Sequence, residues 1–460
     1  MRFATAIRKR TTRCPLTGRR LSPDARILLL ILAWLTVRTP CLGASPWPAW
    51  RGPAGTGVAA SGSPPIVWSE TENIKWKTEL PGLGHSSPVV AGDLVFLTTA
   101  IPIGEKLPPK YSNAPGAHDN LPITQRQEFV ALAVNRDDGK IVWKTKLHEA
   151  LPHEGGHQTA SLASASPVTN GQYVVAHFGS YGTYCVDLAG KVIWKKSLGR
   201  MHSKHGHGEG SSPALFDSTV VVNWDHEGQS FIVALDIKSG NEIWRAARDE
   251  VTSWSSPLIL THDGTQQVVV CGTTRVRAYD LADGRVIWEC GGLSANVVAT
   301  PVAADGMVYV GSSYEIRSMF AINLQNAKGD ITGTDAVVWS RRERTPYVPS
   351  PILYGDGLYF LRHYQGILTR VDARTGEEPS GPFRLGALRD IYASPVGADG
   401  RIYFTDLYGV TQVVSHGKLP RPLAINRLDD SFSASAAIVG DEILLRGRRY
   451  LYCIADSGDE

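Results

Sequence analysis

Short runs of alternating apolar and polar residues follow one another along most of the chain, separated by turns rich in Gly and Asp. One unit opens at Ser256-Pro257, turns at residues 263–264 and continues through apolar runs at residues 267–271 and 276–279. A further turn at residues 280–284 leads to a last run ending in Trp288. Alternation with a period of two predicts strands, and long stretches with a 3.6-residue period are missing from the sequence. We expect an all-β protein with almost no helix.

This unit recurs along the chain with a nearly constant spacing. Ser-Pro or Thr-Pro steps open the units, and Ser435-Ala436 stands as a degenerate eighth opening; the eight are Ser87, Ser166, Ser212, Ser256, Thr300, Ser350, Ser394 and Ser435. The intervals are 41–50 residues, except for a first interval of 79 that contains a Pro-rich insertion at about residues 101–127. One four-stranded sheet fits each interval. The repeat predicts an eight-bladed β-propeller of four-stranded antiparallel blades.

A tryptophan phrase closes most of the units, at Trp76, Trp143, Trp194, Trp244, Trp288 and Trp339. Phe383 and Leu423 take this place in two late units. We interpret the tryptophans as structural groups that dock neighbouring blades, since each buries a large ring and needs one acceptor for its N–H. The chain begins with a closing strand at Trp76 and ends with strands that follow Ser435. The last blade should therefore join an N-terminal outer strand to three C-terminal strands, which leaves no free sheet edge.

The first 44 residues have a different composition. Residues 1–26 are basic, an apolar run covers residues 27–37, and small residues near Ala44 complete the pattern of a cleaved signal peptide. The run is too short to span a bilayer, so membrane contact is expected only if this leader is retained. We therefore divide the chain into a signal peptide (1–44), a linker or N-terminal extension (45–67) and a propeller (68–460). Without the leader, 38 basic and 43 acidic residues remain and the net charge changes from +3 to −5. A nucleic-acid partner is not expected, and we predict an exported, periplasmic or extracellular monomer.

The phrase Ala234-Leu235-Asp236, continued by Gly240 and Ile243-Trp244, resembles the repeat of the quinoprotein-alcohol-dehydrogenase-like propellers, the PQQ-like family. The resemblance covers about residues 68–455. The family includes dehydrogenases that use pyrroloquinoline quinone and non-catalytic relatives such as the BamB component of outer-membrane assembly. The dehydrogenases place a disulfide between adjacent cysteines over the quinone, whereas Cys185, Cys271, Cys290 and Cys453 include no adjacent pair. The resemblance therefore does not favour a quinone cofactor, and the chain as a whole favours a non-catalytic role.

The blade order sorts the loops onto two faces. With strands A to D counted from the axis outward, the A–B and C–D turns share one face, called here the plain face. The B–C and D–A loops share the other, the loop face, and eleven of the 13 histidines lie on or beside it. Neutral histidines bind zinc and similar metals, so His153, His157, His205 and His207 are candidate metal ligands. Asp225, His226 and Glu227 are candidates for acid–base catalysis. Hydrogen-bonded packing between loops is the alternative for both groups.

Residues just before the Ser-Pro steps should surround the axis on the loop face: His85, Glu209, Trp254, Asn296, Tyr347, Tyr392 and Phe432. Converging aromatic and amide groups form a pocket for a small ligand or peptide, or else plug the channel. We favour a binding or assembly scaffold whose protein or small-molecule partner lies on this face. Two alternatives remain open: a quinoprotein oxidoreductase, and a metal-dependent hydrolase that uses the His, Asp and Glu loops. A divalent metal is not favoured as a cofactor.

Overall fold

The computed structural model describes residues 46–456, so the signal peptide assigned to residues 1–44 lies outside the described residues. The described chain forms eight sheets built on four antiparallel strands, each sheet one blade of a closed ring. The predicted all-β, eight-bladed propeller is confirmed. Within residues 46–456, no helix is long and apolar enough to cross a membrane.

The first four blades follow the chain in order. From the axis outward, the strands of blade 1 are Val89–Ala91, Leu94–Ile103, Arg126–Asn135 and Ile141–Ala150; those of blade 2 are Val168–Thr169, Tyr173–His177, Thr183–Asp187 and Val192–Lys196; those of blade 3 are Ala214–Phe216, Thr219–Trp224, Phe231–Asp236 and Glu242–Ala247; those of blade 4 are Leu258–His262, Thr265–Cys271, Arg275–Asp280 and Val286–Gly291. A two-residue strand, Gly329–Asp330, adds a parallel fifth strand to blade 4.

Blades 5 to 8 complete the ring. The strands of blade 5 are Val302–Ala304, Met307–Ser312, Ser318–Asn323 and Val337–Arg341; those of blade 6 are Ile352–Tyr354, Gly357–Leu361, Ile367–Asp372 and Phe383–Arg384; those of blade 7 are Val396–Ala398, Arg401–Thr405, Val410–Ser415 and Pro422–Arg427; those of blade 8 are Ala437–Val439, Glu442–Arg446, Tyr450–Ile454 and, from the N-terminus, Ile74–Glu79. Ile74–Glu79 pairs antiparallel with Tyr450–Ile454, which is the predicted closure.

Short elements lie outside the blades. The insertion in blade 1 occupies residues 104–125, because its flanking strands reach Ile103 and begin again at Arg126. Within it, Asn120–Leu121 pairs with Gly156–His157 of the next D–A loop. Single 3₁₀ turns occur at Gly179–Tyr181, Lys204–Gly206 and Leu324–Asn326.

Five of the six tryptophans contact the following blade through the same arrangement. Their indole N–H groups donate to backbone carbonyls at 2.7–2.9 Å: Trp76 to Arg136, Trp143 to Leu188, Trp194 to Ile237, Trp244 to Leu281 and Trp339 to Ala373. Each ring also covers a turn glycine of that blade with positive φ, where an added Cβ would lie 2.5–2.8 Å from the indole. Trp288 donates instead to Gln267 in its own blade. A glycine is therefore required beneath each of these five indoles.

The assignments of Phe383 and Leu423 to the tryptophan position were wrong. Trp244 lies opposite Ala234 at a bulge, and the matching pair at the bulge of blade 7 is Val413 with Ala424. Leu423 is one residue out of register and 45% exposed. In blade 6 the outer strand is reduced to Phe383–Arg384, and Phe383 pairs with Leu368. The C–D connection of blade 7, between Ser415 and Pro422, is one residue longer than that of blade 3, between Asp236 and Glu242. In blade 6 the outer strand is shortened. Both differences change which residue reaches the tryptophan position.

A ring of hydrogen bonds explains why every unit opens with Ser or Thr. At the axis, the backbone N–H of each opening residue donates to the hydroxyl of the next at 2.9–3.1 Å, in the order Ser87, Ser166, Ser212, Ser256, Thr300, Ser350, Ser394, Ser435 and back to Ser87. Buried N–H groups need an acceptor, and here a side chain of the neighbouring blade supplies it. The hydroxyl ring therefore couples all eight blades at their inner edges.

The N-terminal segment crosses the plain face before the first strand. Trp47 exchanges backbone hydrogen bonds with Val90, and the indole of Trp50 donates to the Ser435 hydroxyl at 3.1 Å. The buried Arg51 guanidinium donates to the carbonyls of Pro351 and Pro395, both at 2.7 Å. Trp50 thus closes the channel at the hydroxyl ring.

Candidate functional site

A cavity of about 390 Å³ lies on the axis, above Trp50 and the hydroxyl ring. Six of the seven axial residues expected from sequence line it, namely His85, Glu209, Trp254, Asn296, Tyr347 and Tyr392. The seventh, Phe432, is fully buried in the core of the last blades. The six converge around open space, and its volume is within the range of small-molecule sites.

Aromatic rings form one wall of the cavity. Tyr314 stacks on Tyr347 with ring centroids 5.7 Å apart, and Tyr364 stacks on Tyr392 at 5.6 Å with the planes only 8° apart. Burial raises the pKa of Tyr347 to about 12, so its hydroxyl stays neutral at ordinary pH. Tyr314 and Tyr364 come from B–C loops rather than from the steps before Ser-Pro, which is why the repeat gave no sign of them.

The rest of the wall carries carboxyl groups and histidines. Glu209 accepts hydrogen bonds from the Ser180 backbone N–H at 2.6 Å and from the Ser180 hydroxyl at 2.5 Å. Burial raises the pKa of Glu209 to about 7. Residue 179 has φ of +53°, and a Cβ there would lie 1.4 Å from the Glu209 carboxylate, so only Gly fits. Asp119 from the insertion also lines the cavity.

Histidines on this wall are mostly held neutral. Burial, with the nearby charges of Arg446 and Arg448, lowers the pKa of His85 to about 3. Burial also lowers the pKa of His207 to about 4. The wall therefore presents neutral imidazoles beside two carboxyl groups.

The cavity does not suit pyrroloquinoline quinone, whose three carboxylates need cationic partners. Among the described residues no Lys or Arg lines the cavity, whereas Asp119 and Glu209 do. Like charges brought together in a partly dry site repel strongly. The four cysteines of the described chain are free and buried, so no disulfide covers the site.

Asp225, His226 and Glu227 are engaged in holding loops together. Asp225 forms a fully buried ion pair with Arg248, at 2.7 Å, and accepts from the Ser253 hydroxyl. The Nε2–H of His226 donates to the Gln229 carbonyl, while its Nδ1 accepts from backbone N–H groups. Glu227 accepts from the N–H and hydroxyl of Thr252. These contacts favour the loop-packing interpretation of the three residues over acid–base catalysis.

The four candidate metal ligands fall into two places. His153 lies with Glu154 and His202, and the ligand atoms of these three are within 4.8 Å of one another. Both ring nitrogens of His153 are already engaged, because Nε2–H donates to the Met201 carbonyl and Nδ1 accepts from the Tyr181 hydroxyl.

His157 and His207 lie elsewhere and line the cavity, and His205 lies next to His207. Their neighbour His118 belongs to the insertion. Sequence reasoning missed His118 because the insertion has no place in the repeat. The only signal available was the crowding of histidines on the loop face.

Comparison with known proteins agrees with this architecture. A family profile described as outer membrane protein assembly factor BamB matches residues 42–228 and 228–455. The chain belongs to the BamB family of PQQ-repeat propellers. No match is found among curated proteins.

Solved structures similar to this BamB-family propeller include a BamB and two dehydrogenases. BamB from Moraxella catarrhalis is similar with a TM-score of 0.52 and 14% identity, covering 78% of this chain and 99% of that one. A europium-containing methanol dehydrogenase has a TM-score of 0.56 and 11% identity, with 88% and 90% covered. A quinohemoprotein alcohol dehydrogenase from Pseudomonas putida has a TM-score of 0.52 and 8% identity, with 90% and 81% covered. At these identities the likeness shows the fold alone.

Proposed function

We propose that this BamB-family propeller is an exported, non-catalytic binding protein that takes a small organic cation in the central cavity of its loop face. The observation that carries the proposal is the composition of the cavity wall. Two stacked tyrosine pairs, Trp254, Glu209 and Asp119 share the lining, with Trp254 beside Glu209 through its bond to the Gly208 carbonyl, and no basic side chain of the described chain lines the space.

Aromatic faces and a carboxylate attract the same kind of ligand. A cation over an aromatic ring gains about 0.5–2 kcal/mol, more when it is desolvated. Glu209 is bonded to Ser180 and has no cationic partner among the described residues. A bound cation would supply the missing opposite charge and stabilise the ionised carboxylate. Because the pKa of Glu209 is raised to about 7, binding should strengthen as the pH rises through that value.

A matched series of probes tests the charge preference: benzyltrimethylammonium, benzyl alcohol and benzoate share one ring and differ in charge. By titration calorimetry at pH 8, we expect the cation to bind at least tenfold more tightly than benzoate, with a smaller difference at pH 5.5. Glu209→Gln should reduce the preference, whereas Glu315→Gln, an exposed loop-face control outside the cavity wall, should leave it unchanged. Benzoate or pyrroloquinoline quinone binding as tightly as the cation would overturn the proposal.

A second function, docking of a protein partner, is favoured by apolar side chains exposed beside the cavity. Tyr314, Ile316 and Tyr408 come from the B–C loops of blades 5 and 7 and are 41%, 54% and 55% exposed. The name of the family refers to an assembly factor, which is consistent with such a partner. A photo-crosslinking amino acid that replaces Tyr408, in cells of the native source, should form an adduct with one partner protein. Ile316→Ser should lower the yield of this adduct. The same residue placed at Asp263 on the plain face should yield none.

Export is tested separately by fractionation of native cells. We expect the protein in the periplasmic or extracellular fraction, without the leader. Recovery of the full-length chain in the cytosol would contradict this part of the proposal.

A further inference from the structure

Three histidines meet where the blade 1 insertion touches the D–A loop that follows blade 2. The ring centroids of His118 and His207 are 4.7 Å apart, those of His118 and His205 are 5.0 Å apart, and those of His205 and His207 are 5.3 Å apart. We call these three residues the rim cluster, because His118 and His207 also line the mouth of the central cavity. The three spacings are similar, so the rings form one compact group.

Backbone carbonyls fix which nitrogen of each ring carries the proton. Nδ1 of His118 bonds to the Gly116 carbonyl at 2.8 Å, Nδ1 of His205 to the Pro115 carbonyl at 3.2 Å, and Nε2 of His207 to the His118 carbonyl at 3.2 Å. A carbonyl only accepts, so each of these nitrogens is the donor. In a neutral ring the other nitrogen then holds a lone pair. Metal-binding histidines are oriented by the same kind of bond.

The backbone around the rim cluster is held in an uncommon conformation. His205 has φ of +58°, which few residues other than Gly adopt. The Asn120 side-chain amide donates to the His205 carbonyl at 2.7 Å, so the insertion fixes this turn. A Cβ on the next residue, Gly206, would lie 2.1 Å from the Ser112 hydroxyl. Such strain persists where surrounding contacts impose it, and it is concentrated at functional sites.

We infer that the rim cluster binds a divalent transition metal, with zinc as the first choice. Zinc–nitrogen bonds are about 2.0–2.1 Å long, which puts imidazole centres sharing one tetrahedral metal about 5 Å apart. The rim spacings match this value. The free nitrogens themselves are spread wider than those of the His153 group, so metal binding draws the insertion and the D–A loop together.

The His153 group is the competing location in this chain. Its ligand atoms are closer together, but His153 has no free lone pair, because its Nδ1 accepts from Tyr181. Each ring of the rim cluster keeps one nitrogen with a free lone pair.

A metal at the rim cluster would fasten the insertion across the mouth of the cavity. Asp119, next to His118, lines the cavity, so its position depends on the same loop. The inference does not rest on the proposed cation binding. If the protein binds zinc but not the organic cation, the zinc inference stands. If it binds the organic cation but not zinc, only the zinc inference fails.

The test uses the untagged protein, with Co²⁺ titrated by absorbance and Zn²⁺ by calorimetry at pH 7.5. We expect the visible bands of tetrahedral cobalt and one zinc per chain. His118→Gln, His207→Gln and His205→Asn should each lower zinc affinity at least tenfold. Asn is used at position 205 because it tolerates positive φ.

The matched controls are His153→Gln and His202→Gln in the competing group and His262→Asn, which we assign to the plain face. They should leave zinc affinity unchanged. Absence of cobalt bands, unchanged affinity in the rim variants, or loss of affinity in the His153 and His202 variants would overturn the inference. Thermal melting of each apo-variant checks folding. If position 205 proves intolerant, His118→Gln decides alone, since His118 lies on an exposed loop.

Discussion

The two ends of the central channel are made by the same eight blades, yet one end is closed and the other opens into a cavity. At the plain face, short turns and the N-terminal segment close the channel with Trp50 and Arg51. At the loop face, Tyr347, Glu209 and their neighbours leave a cavity of about 390 Å³. The repeat fixes the positions that join blades, and the loops it leaves free carry the chemistry.

Two charged groups without an ion-pair partner among residues 46–456, one buried and one half-buried, show the difference between the ends. Arg51 donates to three backbone carbonyls, and burial lowers its pKa only to about 9, so it stays charged at neutral pH. Glu209 is bonded to a single residue, and burial raises its pKa to about 7. The charge of Arg51 at the plain face is therefore constant near neutral pH, whereas the charge of Glu209 at the loop face changes there.

Removing the plain-end closure should have the largest effect. Arg51→Ala leaves the carbonyls of Pro351, Pro395 and Thr56 without their donor, and we expect the free energy of unfolding to fall by about 3 kcal/mol or more. Urea denaturation measures it. Arg285→Ala, at an exposed turn, should change stability by less than about 0.5 kcal/mol. Equal effects of the two changes would mean that Arg51 does not hold the channel closed.

Neutralising the loop end should change how stability depends on pH. The raised pKa of Glu209 means that the folded state prefers the protonated carboxyl, so wild-type stability falls as the pH rises from about 4.5 through 7. Glu209→Gln removes this loss. The free energy of unfolding of the variant minus that of the wild type should therefore be on the order of 2 kcal/mol larger at pH 8 than at pH 4.5. Urea midpoints at the two pH values measure it. Parallel pH profiles would contradict a raised pKa of Glu209.

The hydroxyl ring between the two ends should give the smallest effect. Ser212→Ala leaves the Ser166 backbone N–H without its acceptor, which should cost about 1 kcal/mol. Ser212→Thr should be close to neutral, because Thr300 already occupies an equivalent place in the ring. Thermal melting of the two variants compares them directly. A Thr variant as unstable as the Ala variant would show that the hydroxyl is not what matters.

Much of the fold followed from the sequence, because repeated residues meet repeated surroundings. The Ser-Pro steps located all eight blades and the closure through Ile74–Glu79, although the reason for Ser emerged only from the hydroxyl ring. Leu423 was misplaced because the C–D connection of blade 7 is one residue longer than that of blade 3. The repeat gives no sign of where the strands on either side of that connection end and begin.

The candidate site was predictable only where it touched the repeat. Residues before the Ser-Pro steps, such as Glu209 and Trp254, could be assigned to the axis. Tyr364 and His118 could not, since their loops differ in length from blade to blade. The stacking of Tyr364 on Tyr392 and the meeting of His118 with His207 depend on three-dimensional contacts between distant loops.

The closure of the plain face has a consequence for the order in which the protein is made. Arg51 is among the first described residues to be synthesised, yet its carbonyl partners at Pro351 and Pro395 follow 300 and 344 residues later. Ile74–Glu79 likewise waits for the last strand of the chain. Contacts between such distant positions form slowly, so the N-terminal segment stays undocked until translation is nearly complete. Both closures, at Arg51 and at Ile74–Glu79, are therefore among the last contacts that the chain can make.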